Sequence, residues 1–490
     1  MEFETVIGLE VHVQLQTRSK MFCCCSTDYA STPPNTHVCP VCLGMPGVLP
    51  VINQQAVEFT IMTALALNCS ISEYTKFDRK NYPYPDLMKG YQISQYDAPI
   101  GLSGWMDVDV DGQTRRIGIT RVHLEEDTSR LTHRTGFDES YSLVDVNRSG
   151  VPLMEIVGEP DLRSPEEARQ YLMKLRTILR YLGVSTANME EGSFRCDANI
   201  SIRPKNSEEL AAKVEVKNMN SFRAVYHALE YEETRQRKAA SSGERLVQET
   251  RGWDEESHTT VSQRSKEYAH DYRYFPEPDL PPLSLSADWV DKIRTMLPEL
   301  PEAKRDRFMA DYDLSHYDAS LLTASREMAD YFETCLETDL PTGLSVPRRA
   351  KAISNWILGE VSRIVNENNL DITDFREKVS PKKLADLLVL ESKNTINTAT
   401  AKSVLWKMYE TARDAETIVR EEGLGQITDT GEIEDAVGQV IAANQQAVAD
   451  YKAGKDTAVK FLVGQVMKMT RGRANPQLAT ELLKKKLGDE

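Results

Sequence analysis

The chain has 490 residues, of which 40% are hydrophobic and 27% charged, and its net charge is −16. That length exceeds a single hydrophobic core, which stops growing near ~250–300 residues, so two or three domains are expected. No window approaches the ~20 apolar residues of a membrane helix, the opening Met1-Glu2-Phe3-Glu4-Thr5 lacks the basic and apolar blocks of a secretory signal, and so acidic a surface excludes a grip on nucleic acid along the whole chain. The expected compartment is the cytoplasm, with no membrane contact.

In chain order, Val6 to Leu15 alternates. Ile7, Leu9, Val11, Val13 and Leu15 share one face of a strand, which puts Glu10, His12 and Gln14 on the other. Next, five of the eight cysteines fall between positions 23 and 42. The pairs Cys23/Cys25 and Cys39/Cys42 suit tetrahedral Zn²⁺ in a closed structural site. Cys24 either points away or substitutes for a neighbour, and His37 is a weaker ligand candidate.

A second alternating strand sets Arg121, His123 and Glu125 opposite Val122 and Leu124. The one clear helix of this half starts with Ser164 as N-cap, Pro165 at its first position and Glu167 completing a capping box; Gly183 ends it. A third strand carries Arg195, Asp197, Asn199 and Ser201 opposite an apolar face, and a fourth carries Lys213, Glu215 and Lys217. A merely solvated sheet face has little need of histidines beside carboxylates. Glu10, His12 and Glu125, with an acid from Glu190-Glu191, suit a hard cation such as Mg²⁺. Lys and Arg on the same faces suit phosphate, so metal-assisted phosphoryl transfer is expected. The one Gly-Lys pair, Gly454-Lys455, precedes Asp456 and is no Walker A sequence, and there is no Rossmann fingerprint.

Phe275 to Pro282 holds four prolines in eight residues, which excludes a central strand or helix and marks a boundary. The pattern then turns helical to about Lys402, with one break at Pro341 to Pro347. A last block from about Ser403 reads as short helices, the final one capped by Asn475 before Pro476. Lys452, Lys455, Lys460, Lys468, Arg471, Arg473, Lys484, Lys485 and Lys486 face only Asp456 and Glu481 in that stretch, a local basic patch.

Eight segments together resemble one known family. They are Ile7-Gly-Leu-Glu-Val-His-Val-Gln-Leu15, Phe77 to Asp86, Tyr91-Gln-Ile-Ser-Gln95, Arg121 to Asp127, Asp145 to Leu153, Arg195 to Ser201, Val216 to Phe222 and Asp271 to Pro281. The chain is similar along its length to the B subunits of aspartyl/glutamyl-tRNA(Asn/Gln) amidotransferases. The resemblance implies an α+β fold: an antiparallel-sheet cradle over 1–290 holding ATP and Mg²⁺, with the zinc knuckle at 23–42; an all-α helical domain over 291–402; and a YqeY-like tail over 403–490 that touches tRNA. It implies phosphorylation of the side-chain carboxylate of Glu-tRNA(Gln), Asp-tRNA(Asn) or both. Ammonia made by an amidase A subunit then displaces phosphate, and a small C subunit joins A and B. Carried onto this chain, Glu10, His12 and Glu125 would hold the metal with Glu190 as fourth ligand, and Lys80 and Glu125 would line the end of the ammonia path. The catalytic set becomes His12, Lys80, His123, Glu125 and Lys217, and the ATP contacts Arg195, Asp197, Asn199 and Lys217. Phe22-Cys-Cys-Cys25 departs from the usual Phe-Cys-Gly-Cys, and many members lack the four-cysteine site, so the zinc would be structural. The archaeal E-type subunit carries an inserted domain that this chain lacks, and a non-catalytic tRNA scaffold would not need ionisable strand faces.

Overall fold

The computed structural model describes residues 2–135, 140–205, 207, 211–265, 271–338, 345–427, 430–452, 455, 457–470 and 472–488, without the side chains of 264 and 265. Pro341, Gly454, Asp456 and Arg471, which figure in the sequence reading, lie outside these. The chain divides into two compact units, Met1–Leu300 and Pro301–Glu490. No described helix is long and apolar enough to cross a membrane.

The first unit is built on a twelve-stranded, mainly antiparallel sheet. Ten of its strands are labelled here: β1 (Phe3–Gln14), β2 (Asp78–Asn81), β3 (Tyr91–Ser94), β4 (Gly101–Val110), β5 (Gln113–Glu126), β6 (Pro152–Gly158), β7 (Phe194–Pro204), β8 (Val214–Met219), β9 (Glu249–Asp254) and β10 (Thr259–Ser265). The order across the sheet is β10-β9-β8-β7-β1-β6-β5-β3-β2, closed by Phe275–Pro276, with β4 on β5. Three helices, α1 (Gln54–Ala66), α2 (Pro165–Leu182) and α3 (Phe222–Ser242), pack on the apolar face. That face carries Ile7, Leu9, Val11 and Val13 of β1, Met154 and Ile156 of β6, and Ala198 and Ile200 of β7, all essentially inaccessible. Burial of one face fixes each strand's register, because a one-residue slip would turn every core side chain to the opposite side. The other face is left for polar groups.

Helix α2 begins and ends where expected, with Ser164 accepting from the Glu167 amide and Gly183 left-handed at φ 67°. Glu167, however, reaches back to the Arg163 amide (2.7 Å), one residue before the cap. Helices α1 and α3 were not expected. The proline-rich segment is an edge, not a linker between units. Phe275 and Pro276 pair with Arg79 and Asp78, and buried Glu277 takes both Nε and Nη2 of Arg79 at 2.7 Å. The first unit therefore continues past 290 to Leu300.

The second unit is helical, with two hydrophobic clusters. One gathers Phe308 to Val419 and the other Ile433 to Leu487. The core does not change at 403, because helix Thr398–Thr411 runs through that position and buries Val404, Leu405 and Met408 in the first cluster. Asn475 caps the last helix, Pro476–Leu487, as its sequence requires.

Beneath the sheet, fully buried Glu232 of α3 meets Arg235 (2.8 Å) and Arg251 (3.1 Å), and accepts from Thr260 and Gln236. Removing one member of a buried ion network strands the remaining charge. Glu232→Ala should lower stability by about 3 kcal/mol in denaturant titration; a loss below ~1 kcal/mol would mean that the two arginines find water instead.

Candidate functional site

Strand pairing assembles a row of ionisable groups. On β1, His12 lies opposite Glu155 of β6 and Arg195 of β7, and Glu155 lies opposite His123 of β5. Alternation puts these side chains on the face away from the helices. Glu125, two residues beyond His123, shares that face and pairs across to Ser94 of β3. His12 Nε2 is 3.7 Å from both Glu125 Oε1 and Glu155 Oε2, and His123 Nε2 is 3.2 Å from Glu155 Oε2. Ser94 Oγ donates to Glu125 Oε2 at 3.3 Å.

Both carboxylates are deep, Glu125 at 3% and Glu155 at 8% exposure. Burial pushes the Glu155 pKa up, but His123, His12 and Lys80 outweigh it and hold the carboxyl well below its usual range. The opposite balance acts on Lys80 of β2. Burial disfavours its ammonium, yet Glu125, the neighbouring tyrosines and Glu155 raise its pKa above that of a free lysine. Its Nζ sits 5.0 Å from the Tyr272 ring centroid and 5.8 Å from that of Tyr82. Lys80 is thus a fixed cation rather than a proton acceptor.

A second set flanks the row. Asn199 donates to Glu10 Oε1 at 3.0 Å, and Lys217 Nζ is 2.7 Å from Asp197 and 3.2 Å from Glu215. Arg195 is tied from behind by buried Asp127 (2.9 Å), which also accepts from Gln14 at 2.6 Å and lies 3.7 Å from Arg148. Burial would raise the Asp127 pKa; the two guanidiniums keep it low.

Among the described residues, two groups offer converging metal-ligand atoms within 4.8 Å of one another. The first is His12, Glu125 and Glu155. Two carboxylate oxygens and one imidazole nitrogen fit a divalent cation that prefers oxygen. Glu10 is not in this group and faces Asn199 instead. Glu190 is exposed in the turn before β7 and is not in this group, whereas Glu155, which was not expected, is. Glu155 had a signal in the sequence, being the one charge in the apolar run Val151-Pro-Leu-Met-Glu-Ile-Val157. Asp127 was likewise not singled out; it shows only as a buried acid behind Arg195.

The second group is Cys23, Cys25, Cys39 and Cys42, with the Cys39 and Cys42 sulfurs 3.9 Å apart. Cys24 is exposed and outside it, and His37 is not part of it. Four sulfurs with no carboxylate suit a borderline-soft tetrahedral cation. The Cys39 amide points at the Cys42 sulfur (3.2 Å), a turn geometry that favours a thiolate there.

Residues 5–291 match the GatB/GatE catalytic domain family, and residues 330–487 match the GatB domain family. The chain is 64% identical over 488 residues to the B subunit of the aspartyl/glutamyl-tRNA(Asn/Gln) amidotransferase of Dehalococcoides mccartyi (strain CBDB1), covering 99% of each chain. Proteins of the same name from Thermomicrobium roseum and Carboxydothermus hydrogenoformans are 58% and 54% identical over 487 residues, again with 99% of each chain covered.

The two acids give a direct test. Glu155→Ala should abolish Mn²⁺ binding measured by electron paramagnetic resonance, whereas Glu190→Ala should leave it within about twofold, since of the two acids only Glu155 has its oxygen beside the His12 nitrogen and the Glu125 oxygen. The reverse outcome would move the site to the turn.

Proposed function

We propose that this chain, which belongs to the family of aspartyl/glutamyl-tRNA(Asn/Gln) amidotransferase B subunits, carries out on the polar face of its sheet the ATP-dependent activation and amidation of a carboxylate esterified to tRNA. The chain is one subunit of a multi-subunit, tRNA-dependent, ATP-using ligase. The observation that carries the residue assignment is the in-register convergence of His12, Glu155 and His123 with Glu125 and Lys80.

His12, Glu125 and Glu155 would hold Mg²⁺, which when bound supplies charge neutralisation for a nucleoside triphosphate. Arg195, locked by Asp127, would hold phosphate oxygens without having to reorganise. Asp197 and Asn199, on the same strand face, and Lys217 would line the nucleotide's other side; Lys217 is already held by Asp197 and Glu215, and Asn199 already donates to Glu10, so they enter as positioning groups. Lys80, permanently charged, would attract the substrate side-chain carboxylate and orient its oxygen toward the terminal phosphorus, with ADP leaving. Ammonia then attacks the activated acyl carbon, phosphate leaves, and the nitrogen must shed a proton. Glu125, beside Lys80, would take it on Oε2, the oxygen turned to Ser94, while Oε1 stays on the side of His12 and the metal. The Lys80 cation also discriminates between nucleophiles: it repels ammonium and admits neutral ammonia. Ammonia from an amidase A subunit, with a small C subunit joining the two, fits a chain whose own site is built for phosphate and carboxylate. Zn²⁺ on the four cysteines would be structural, with every ligand position filled by sulfur.

Grip on the tRNA body would belong to the second unit. Lys460, Lys468, Lys484 and Lys485 are exposed on its last helices, in the tail assigned to 403–490. Lys486 is less free, because its Nζ donates to the Glu434 carbonyl at 2.9 Å. All three lysines at 484–486 also sit in a helix's last turn, where cations are favoured by the helix dipole whatever else binds.

Two experiments divide these claims. In the full complex, His12→Ala should cut ATP-dependent amidation by at least ~10²-fold while glutamine hydrolysis partly survives; equal loss of both would indicate a collapsed assembly. Neutralising Lys484 and Lys485 should weaken tRNA binding and reduce the slope of log K against log salt by roughly 0.9 per lost phosphate contact, the duplex DNA value. A chain ended before Thr430, which leaves the first helical cluster whole, should lose the same affinity; unchanged binding and slope would show the patch to be a solvated face.

A further inference from the structure

One fully buried charge is unaccounted for by the reaction. Lys20 is 0% exposed, and among the described residues no carboxylate pairs with it. A buried ammonium is costly unless a counter-charge and hydrogen bonds accompany it. Its hydrogen bonds are visible: Nζ donates to the carbonyls of His37 (2.9 Å) and Val146 (3.3 Å). Those carbonyls supply no net charge.

The surroundings of Lys20 are the four-cysteine site. Its backbone amide donates to the Cys25 carbonyl at 2.9 Å. Its Nζ holds His37, just before Cys39. At Gly150, with φ +83°, a Cβ would lie 3.5 Å from Lys20 Cδ and 3.7 Å from Cys42 Cβ, so the lysine stem and the Cys42 side chain flank one glycine. Across the same turn, His37 N donates to Asn147 Oδ1 (2.8 Å) and Asn147 Nδ2 to the Pro33 carbonyl (2.8 Å). Lys20 therefore stands where the Cys23/Cys25 loop, the Cys39/Cys42 loop and the turn ahead of β6 meet.

We propose that Lys20 is the counter-charge of the four-cysteine site, offsetting the excess negative charge of four thiolates around one divalent cation while clamping both cysteine loops to the Val146 turn. Four thiolates and Zn²⁺ sum to −2, and one ammonium beside these cysteines, of which Cys42 is buried and the other three half-buried, halves that excess. Each charge supplies what the other lacks. The inference rests on the reading of the cysteines as a zinc site, and it makes Lys20 a positioning residue for the metal with no part in the amidation chemistry.

The test is zinc retention by the purified full-length chain, with a chromophoric chelator as competitor and thermal unfolding as second readout. Lys20→Met keeps the apolar stem without the charge; Lys20→Gln keeps a donor able to reach a carbonyl, also without the charge. Both are expected to hold zinc roughly tenfold to a hundredfold less tightly than the native chain. In both, the gap in melting temperature between zinc-loaded and stripped protein should narrow, because the lost charge weakens the loaded form selectively. Zinc held at native affinity by either variant, with an unchanged gap, overturns the proposal; so does a variant whose loaded and stripped forms lose stability equally, which is the mark of a packing role alone. A native chain that binds no zinc fails instead at the underlying reading of the cysteines.

Discussion

Two carboxylates buried side by side repel each other and lose water, and the first unit is arranged so that neither consequence prevails. Glu125 and Glu155 lie within one His12 ring of each other, and burial alone would push the Glu155 pKa up. What holds the Glu155 carboxyl low is three neighbours: His123 behind it, His12 between the pair, and Lys80 from the next strands of the sheet. Those groups come from β1, β2, β5 and β6, so the charge balance exists only when the strands are paired in one register. The same pairing that buries Val11, Val13 and Met154 on one face therefore sets the electrostatics on the other. Fold and chemistry depend on a single alignment.

Alternation made the strands legible. In β1, Ile7, Leu9, Val11 and Val13 are buried on the core face as read from the sequence, and Glu10, His12 and Gln14 are half-buried on the other; in β7, Arg195, Asp197 and Asn199 are likewise half-buried, while Ser201 is buried. Alternation assigns residues to a face but says nothing of strand order, so it left open which acid would meet His12. Glu190 was expected from the Glu190-Glu191 pair and from the family resemblance; the acid whose oxygen lies beside His12 is Glu155, because β6, far away in sequence, pairs with β1. Its lone charge in an apolar run was visible but reads equally as an edge residue until neighbours are known.

The helices were missed for opposite reasons. Helix α1 is apolar around most of its circumference, burying Thr60 and Thr63 along with Ile61 and Met62, so it shows no period of 3.6 residues. Helix α3 buries Glu232 and Gln236 on its inner side, so its polar residues masquerade as a solvent face. The cysteine pairs were legible at once, since close spacing in the chain already constrains them in space. Lys20 beside them was not, because one lysine in a sequence carries no mark of burial.

The clasp between Arg79 and Glu277 bears on how the molecule behaves before it finds its partners. An open sheet ends in unpaired amides and carbonyls that can recruit a strand from another molecule, and this is a common beginning of aggregation. Here the closing pair is Phe275 and Pro276, and Pro276 has no N–H to offer. Prolines 278, 281 and 282 follow within six residues and withhold three more donors. Holding this donor-poor ribbon against β2 through a bidentate ion pair turns the edge nearest Lys80 into a poor template. A subunit made separately from its companions thereby carries its own guard against sticking to its siblings.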